Sequence, residues 1–189
     1  VMDHEFIHGK DTDNGKIAYD QMELAVQVAA EMGISKIMVP NFLGNLIMEK
    51  SHVESTKEAL RFICEKADKK NITIMTENAL DYKEQIQLLK DVNMSNLTVH
   101  FDTQNFKFNF DMDQCKQLEG LYPYMDSQLH VKDGIGEPGG CLLGEGNTDF
   151  FSQMEILKKH DYKGWIIIEN YYNLLPLRKL SALDQMQII

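Results

Sequence analysis

Four residues of this chain combine side-chain type and spacing in a way suited to chemistry: Glu77, Asp102, His130 and Glu169. Each stands at, or next to, the end of a short apolar run rich in Ile, Val and Thr, namely 72–77, 97–102, 128–132 and 165–169. Three carboxylates and an imidazole make a donor set for one divalent metal ion. Mn²⁺, Mg²⁺ and Co²⁺ suit it best; Zn²⁺ is admissible, although it usually takes more His or Cys. A single acid in such a place is commonly a helix cap or a rim charge, and a lone strand His is commonly a bonded core residue. Four on successive runs point instead to a shared site, because carboxylates gathered in a buried place are costly without a cation or proton.

Strand side chains alternate, so near neighbours can be placed relative to these four. His100 shares a face with Asp102, one layer below it. Lys132 shares a face with His130, one step above it and towards a substrate. The expected substrate contacts are Lys132, Asp133, His100, Asn105, His4 and Glu145. His4 belongs with Glu5 and His8 to a polar cluster that reads equally as rim or frayed terminus. A segment containing Gly134, Gly136, Gly139, Gly140, Gly144 and Gly146 follows the His130 run. It reads as a loop that covers substrate and offers backbone N–H groups to a sugar or phosphate.

Positioning these residues requires an alternation of strands and helices. A further run, 36–40, precedes the four, and between the runs lie segments of helical period. Tyr19–Met32 is expected to be a helix ending at Gly33. A capping box at Ser51–Glu54 is expected to open a helix to about Lys69, and Asp81–Glu84 another to about Val92 with Ile86, Leu89 and Val92 buried. A shorter helix is expected over 111–121, and one capped by Thr148 or Asp149 runs to Lys159. Such repetition implies a parallel sheet with crossover helices. The run ends lie 25 to 37 residues apart, a spacing that suits a (β/α)₈ barrel or a doubly wound sheet. No Gly-x-Gly-x-x-Gly or P-loop follows a strand, which weakens the nucleotide-binding version. In a barrel, the C-terminal strand ends are the catalytic rim.

The 189 residues carry 19 Lys+Arg against 29 Asp+Glu, a formal charge of −10. That balance argues against nucleic acid or anionic lipid as partner. No apolar run reaches the ~18 residues of a membrane span. Cys64, Cys115 and Cys141 form no Cys-x-x-Cys pair and read as free thiols of a cytoplasmic protein.

The segment Leu129-His130-Val131-Lys132-Asp133, followed by Leu143-Gly144-Glu145-Gly146 and Asp149-Phe150, resembles a signature of the sugar phosphate isomerase/epimerase family, within the xylose-isomerase-like TIM barrels. Tyr162-Lys163-Gly164-Trp165 running into Ile168-Glu169-Asn170 resembles that family's last strand. Phe101–Asn105 and Thr76-Glu77-Asn78 resemble two earlier strand ends. The resemblance implies one metal held by Glu77, Asp102, His130 and Glu169. It implies Glu77 and Glu169 as acid and base on opposite faces of a ketose, moving a proton through an enediolate to give an epimer or isomer. Two positions depart from ketose 3-epimerases: Asn105 stands where they carry a His, and Gly136 where they carry an Arg. A sugar or inosose dehydratase on the same site and a non-catalytic sugar-binding barrel are the alternatives. Asn105 and the acidic balance speak against an endonuclease. A closed barrel takes ~250 residues. The chain is therefore expected to be a single partial domain over 1–189, lacking the first two or three β/α units. In this reading Val1–Phe6 is the end of a further strand, 180–189 an unfinished helix, and the open edges favour a homo-oligomer.

Overall fold

The structure, a computed structural model, describes residues 4–171. It divides into two compact units between residues 99 and 100.

The first unit begins with a segment pinned by Asn45. Its Oδ1 accepts the N–H groups of Phe6 and Ile7 at 2.9 and 3.3 Å, and its Nδ2 donates to the carbonyl of His4. Residues 4–6 form no strand, and residues 1–3 of the expected Val1–Phe6 strand end lie outside the described residues. Helix α1 (Asp13–Met32) starts earlier than its apolar period suggests, because the Thr12 hydroxyl accepts the Gly15 N–H at 3.0 Å. It ends at Gly33 in the left-handed conformation, as expected. Strand β1 is Lys36–Pro40 and helix α2 is Lys50–Asp68. The expected capping box does not form. Glu49 is the N-cap, Ser51 lies inside the first turn donating to the Glu49 carboxylate, and Glu54 pairs with Lys57. Strand β2 is Thr73–Glu77. Helix α3 is Tyr82–Val92, opened by Asp81, whose carboxylate accepts the Lys83 N–H at 2.9 Å. The buried residues of α3 are Gln85, Leu88 and the expected Val92; the expected Leu89 packs against the core while only partly buried, and Ile86 is also only partly buried. β1 pairs with β2, and β2 with the start of β3 (Leu97–Asp102), all parallel. The core packs Met22, Val26, Leu60, Ile63, Ile74 and Leu88 between these layers.

Strand β3 carries the chain into the second unit, which continues with α4 (Asn105–Phe110), α5 (Gln114–Leu121), β4 (Met125–Val131), α6 (Phe150–Lys159) and β5 (Trp165–Ile168). The helix expected over 111–121 forms as α5, starting three residues later, and α4 is a further helix before it. Asp111 adopts a left-handed backbone that closes α4, and Asp113 caps α5 by accepting the Lys116 N–H. Of the two expected caps of α6, Asp149 holds the N-cap position and its carbonyl accepts the Gln153 N–H at 3.1 Å. Its backbone is left-handed and its side chain makes no capping bond, while the Thr148 hydroxyl donates to Asp133. β4 and β5 are parallel, with His130 beside Ile167 and Val131 beside Ile168. Among the described residues, no helix is long and apolar enough to cross a membrane. Residues 180–189, the expected unfinished helix, lie outside the described residues.

Candidate metal centre

Each residue of the proposed ligand set sits where a strand stops. In the first unit, Glu77 is the last residue of β2 and is buried; its carbonyl accepts the Asn41 N–H at 2.7 Å. In the second unit, Asp102 is the last residue of β3, His130 is the penultimate residue of β4, and Glu169 directly follows β5. The Glu169 N–H donates to the Val131 carbonyl at 2.9 Å, which carries the β4–β5 pairing up to the glutamate. One ligand atom each from Asp102, His130 and Glu169 lie within 4.8 Å of one another. Two carboxylates and an imidazole this close fit a divalent cation.

Lys132 reaches into this group. Its Nζ donates to Glu169 Oε2 at 2.6 Å and lies 3.2 Å from Asp102 Oδ2. Alternation correctly places Lys132 beside His130. Its pairing with two prospective ligands is a contact between separate strands. His130 Nδ1 lies 3.4 Å from the same Glu169 oxygen.

His100 lies behind His130, 3 % exposed, with the two rings edge to face at 4.3 Å. Among the described residues neither of its ring nitrogens has a hydrogen-bond partner. Burial, reinforced by neighbouring His130, pulls its pKa from 6.5 to about 4, so the ring is neutral at neutral pH. Burial works to raise the pKa of Glu169, but His130 and Lys132 outweigh it and hold the carboxyl down, from 4.5 to about 2. Burial pushes Asp102 upwards, against the Lys132 charge and the Gln104 N–H.

These shifts give stability a pH dependence with a definite sign. In both His100 and Glu169 the folded state binds a proton less readily than the unfolded chain, so acid destabilises. The His100 contribution is complete above its unfolded value of 6.5 and is lost as pH falls through about 4. The Glu169 contribution is complete above 4.5 and is lost as pH falls through about 2. Urea unfolding followed from neutral to acid pH is expected to weaken in two stages, with His100→Leu removing the upper one. A variant that retains the upper stage would contradict this.

The remaining expected contacts fall in different places. Asn105 is buried at the start of α4, where its N–H donates to Asp102 Oδ1 at 2.9 Å. Glu145 is exposed on the glycine-rich loop. His4 belongs to the first unit and is held through its carbonyl. Asp133 turns its carboxylate into the loop, accepting the N–H groups of Gly134, Gly144 and Gly146 and the Thr148 hydroxyl, all at 2.9–3.0 Å. Of the loop's backbone donors expected for a sugar or phosphate, those of Gly134, Gly144 and Gly146 are engaged by Asp133 and that of Gly139 by Gln104. Gly146 has no alternative there, since a Cβ would collide with the Asp133 carboxylate.

Gln104 was not legible as a site residue. It is 1 % exposed and joins three features: its N–H donates to Asp102 Oδ1 at 2.8 Å, its Nε2 to the Glu137 carbonyl, and its Oε1 accepts from Gly139. Thr103 exchanges hydrogen bonds with the backbone of Lys132 through its hydroxyl. The only sequence signal for either is the polar run following the strand aspartate.

Parallel strands alternating with helices, and carrying acids and an imidazole at their C-terminal ends, define an α/β protein of the barrel type. The chain belongs to the xylose isomerase-like TIM barrel family, whose model matches residues 3–185. It is 29 % identical over 119 residues to a 2-epi-5-epi-valiolone 7-phosphate 2-epimerase of Actinoplanes sp., a match covering 62 % of this chain and 44 % of that protein. It is 31 % identical over 98 residues to an L-ribulose 3-epimerase of Methylomonas sp., covering 52 % of this chain and 32 % of that protein. Less than half of each relative's length is thus matched. Among solved structures, the IOLI protein with a bound zinc atom has a TM-score of 0.76 at 14 % identity, covering 97 % of this chain and 70 % of that one, a likeness of fold.

Proposed function

We propose that this chain forms the cation-holding part of a divalent-metal-dependent isomerase or epimerase of a sugar or sugar phosphate. The observation that carries the reading is the convergence of Asp102, His130 and Glu169 within 4.8 Å at the ends of parallel strands. Glu77, which closes β2 as Asp102 closes β3, is assigned as the fourth ligand. The two curated relatives are both named as epimerases of sugar-like substrates, which supports the same reaction class. A divalent ion on these residues supplies Lewis acidity to a substrate carbonyl and the hydroxyl beside it.

The chain's own groups do the rest. Glu169, ionised well below neutral pH, accepts the proton from the carbon between those two oxygens. Glu77 returns a proton, to the opposite face for an epimer or to the neighbouring carbon for an isomer. The Lys132 ammonium supplies positive charge where the enediolate oxygens develop negative charge. Asp102 orients the site, with Oδ1 fixed by two backbone N–H groups. A substrate phosphate, if present, must be bound outside the Gly134, Gly144 and Gly146 N–H groups, which Asp133 already occupies.

The test is a screen of ketoses and ketose phosphates with Mn²⁺ in deuterated water, read by proton NMR. Deuterium is expected to enter next to the carbonyl of at least one of them without loss of mass as water. A dehydratase would lose water, and absence of exchange with every substrate contradicts the reading.

A further inference from the structure

The position of Lys132 has a consequence for cation binding that neither the strand pattern nor the ligand types contain. Its ammonium lies 2.6 Å from Glu169 and 3.2 Å from Asp102, two members of the proposed ligand set. The side chain is 7 % exposed, so its charge is little screened by water. A second cation drawn to the same oxygens meets a like charge at close range, and that repulsion is strong away from bulk solvent. Lysine is well suited to give way, since it is a point charge on a flexible four-carbon stem and not a planar fork locked to its acceptors. Without some positive charge the Asp102 and Glu169 carboxylates would repel each other.

We propose that Lys132 is a built-in competitor for the metal centre. Its ammonium neutralises Asp102 and Glu169 and must be displaced from them for a divalent cation to bind, so Lys132 sets the affinity of the site. This rests on the metal reading of the preceding section. It also couples two events: loading the site releases the ammonium from the carboxylates and makes it available to the anionic oxygens of a substrate. The affinity is thereby lower than the ligand set alone would give.

The experiment is Mn²⁺ titration by calorimetry on the full chain, comparing the unaltered protein with Lys132→Gln and Lys132→Arg. Lys132→Gln is expected to bind Mn²⁺ at least tenfold more tightly, and Lys132→Arg, which keeps the charge, no more tightly than the parent. Equal or weaker binding by Lys132→Gln overturns the competition while leaving the metal centre standing. Absence of Mn²⁺ binding by all three proteins overturns both. Thermal melting gives a second reading. Removing the ammonium is expected to lower Tm without Mn²⁺ and to enlarge the rise in Tm on saturation with it. If Lys132→Gln folds only with Mn²⁺ present, the cation has replaced the lost charge, as proposed. Failure to fold at saturating Mn²⁺ overturns the proposal.

Discussion

Glu169→Gln is expected to lower turnover by about 10²- to 10⁴-fold, the range for loss of a positioned general base, while leaving the fold in place. The amide keeps the shape of the carboxylate but neither takes a proton nor binds a cation as a charged ligand. Its side chain is 40 % exposed, so the exchange leaves no buried void. Lys132 keeps Asp102 as its partner. The measurement is kcat on the substrate found in the exchange screen, with circular dichroism and urea unfolding as controls for the fold. Turnover within a few-fold of the parent, in a variant that unfolds normally, would remove Glu169 from the chemistry. The deuterium-exchange step, measured separately from product formation, is expected to fall in parallel, because Glu169 is assigned to proton removal.

Asp102→Ala is expected to cost about 3–5 kcal/mol of folding stability, the range for removing one partner of a buried ion pair. Two hydrogen bonds and one ion pair are lost together. Oδ1 accepts the N–H groups of Gln104 and Asn105, which open α4, and Oδ2 faces Lys132 at 3.2 Å. The alanine leaves two buried donors without an acceptor and half of the lysine's charge without its counterion. Asp102→Asn, which keeps an oxygen for the two N–H groups and loses only the charge, is expected to lose less. Urea unfolding checks both. A loss below about 1 kcal/mol for the alanine variant would mean that the local backbone rearranges to recover these bonds. Both variants are also expected to lose Mn²⁺ binding, whatever their stability, because a neutral side chain cannot supply a charged ligand.

Much of the site was legible because strand ends announce themselves. An apolar run of β-branched residues stopped by a carboxylate marks both the element and the rim position, and Glu77, Asp102, His130 and Glu169 all lie at or within two residues of the strand ends observed. The left-handed stop at Gly33 and the Asp81 cap were legible for the same local reason, a residue type with one favoured backbone role. Local signals failed where two residues competed for one role. Ser51 carries the capping-box pattern, but Glu49 already holds the N-cap position, so the serine becomes part of the first turn. Helix α4 was not legible because Phe106, Phe108 and Phe110 alternate with polar residues, a period that suits a strand, whereas the helix expected over 111–121 forms as α5.

The sequence by itself determined which residues stand at the strand ends, through hydrophobic period and side-chain alternation, and with them the candidate donor set and the family. Only the tertiary structure decided what those residues do to one another. Asp133 was free, on sequence grounds, to face a substrate, and it instead holds the loop through four hydrogen bonds to residues as far along the chain as Thr148. Lys132 was placed beside His130 by alternation, yet its reach to Asp102, thirty residues back, and Glu169, thirty-seven ahead, depends on three strands stopping at one level. Alternation is a property of one strand and is written in adjacent residues. The meeting of an ammonium with two carboxylates from other strands is a property of the sheet, set by register and packing over distances that no local pattern spans.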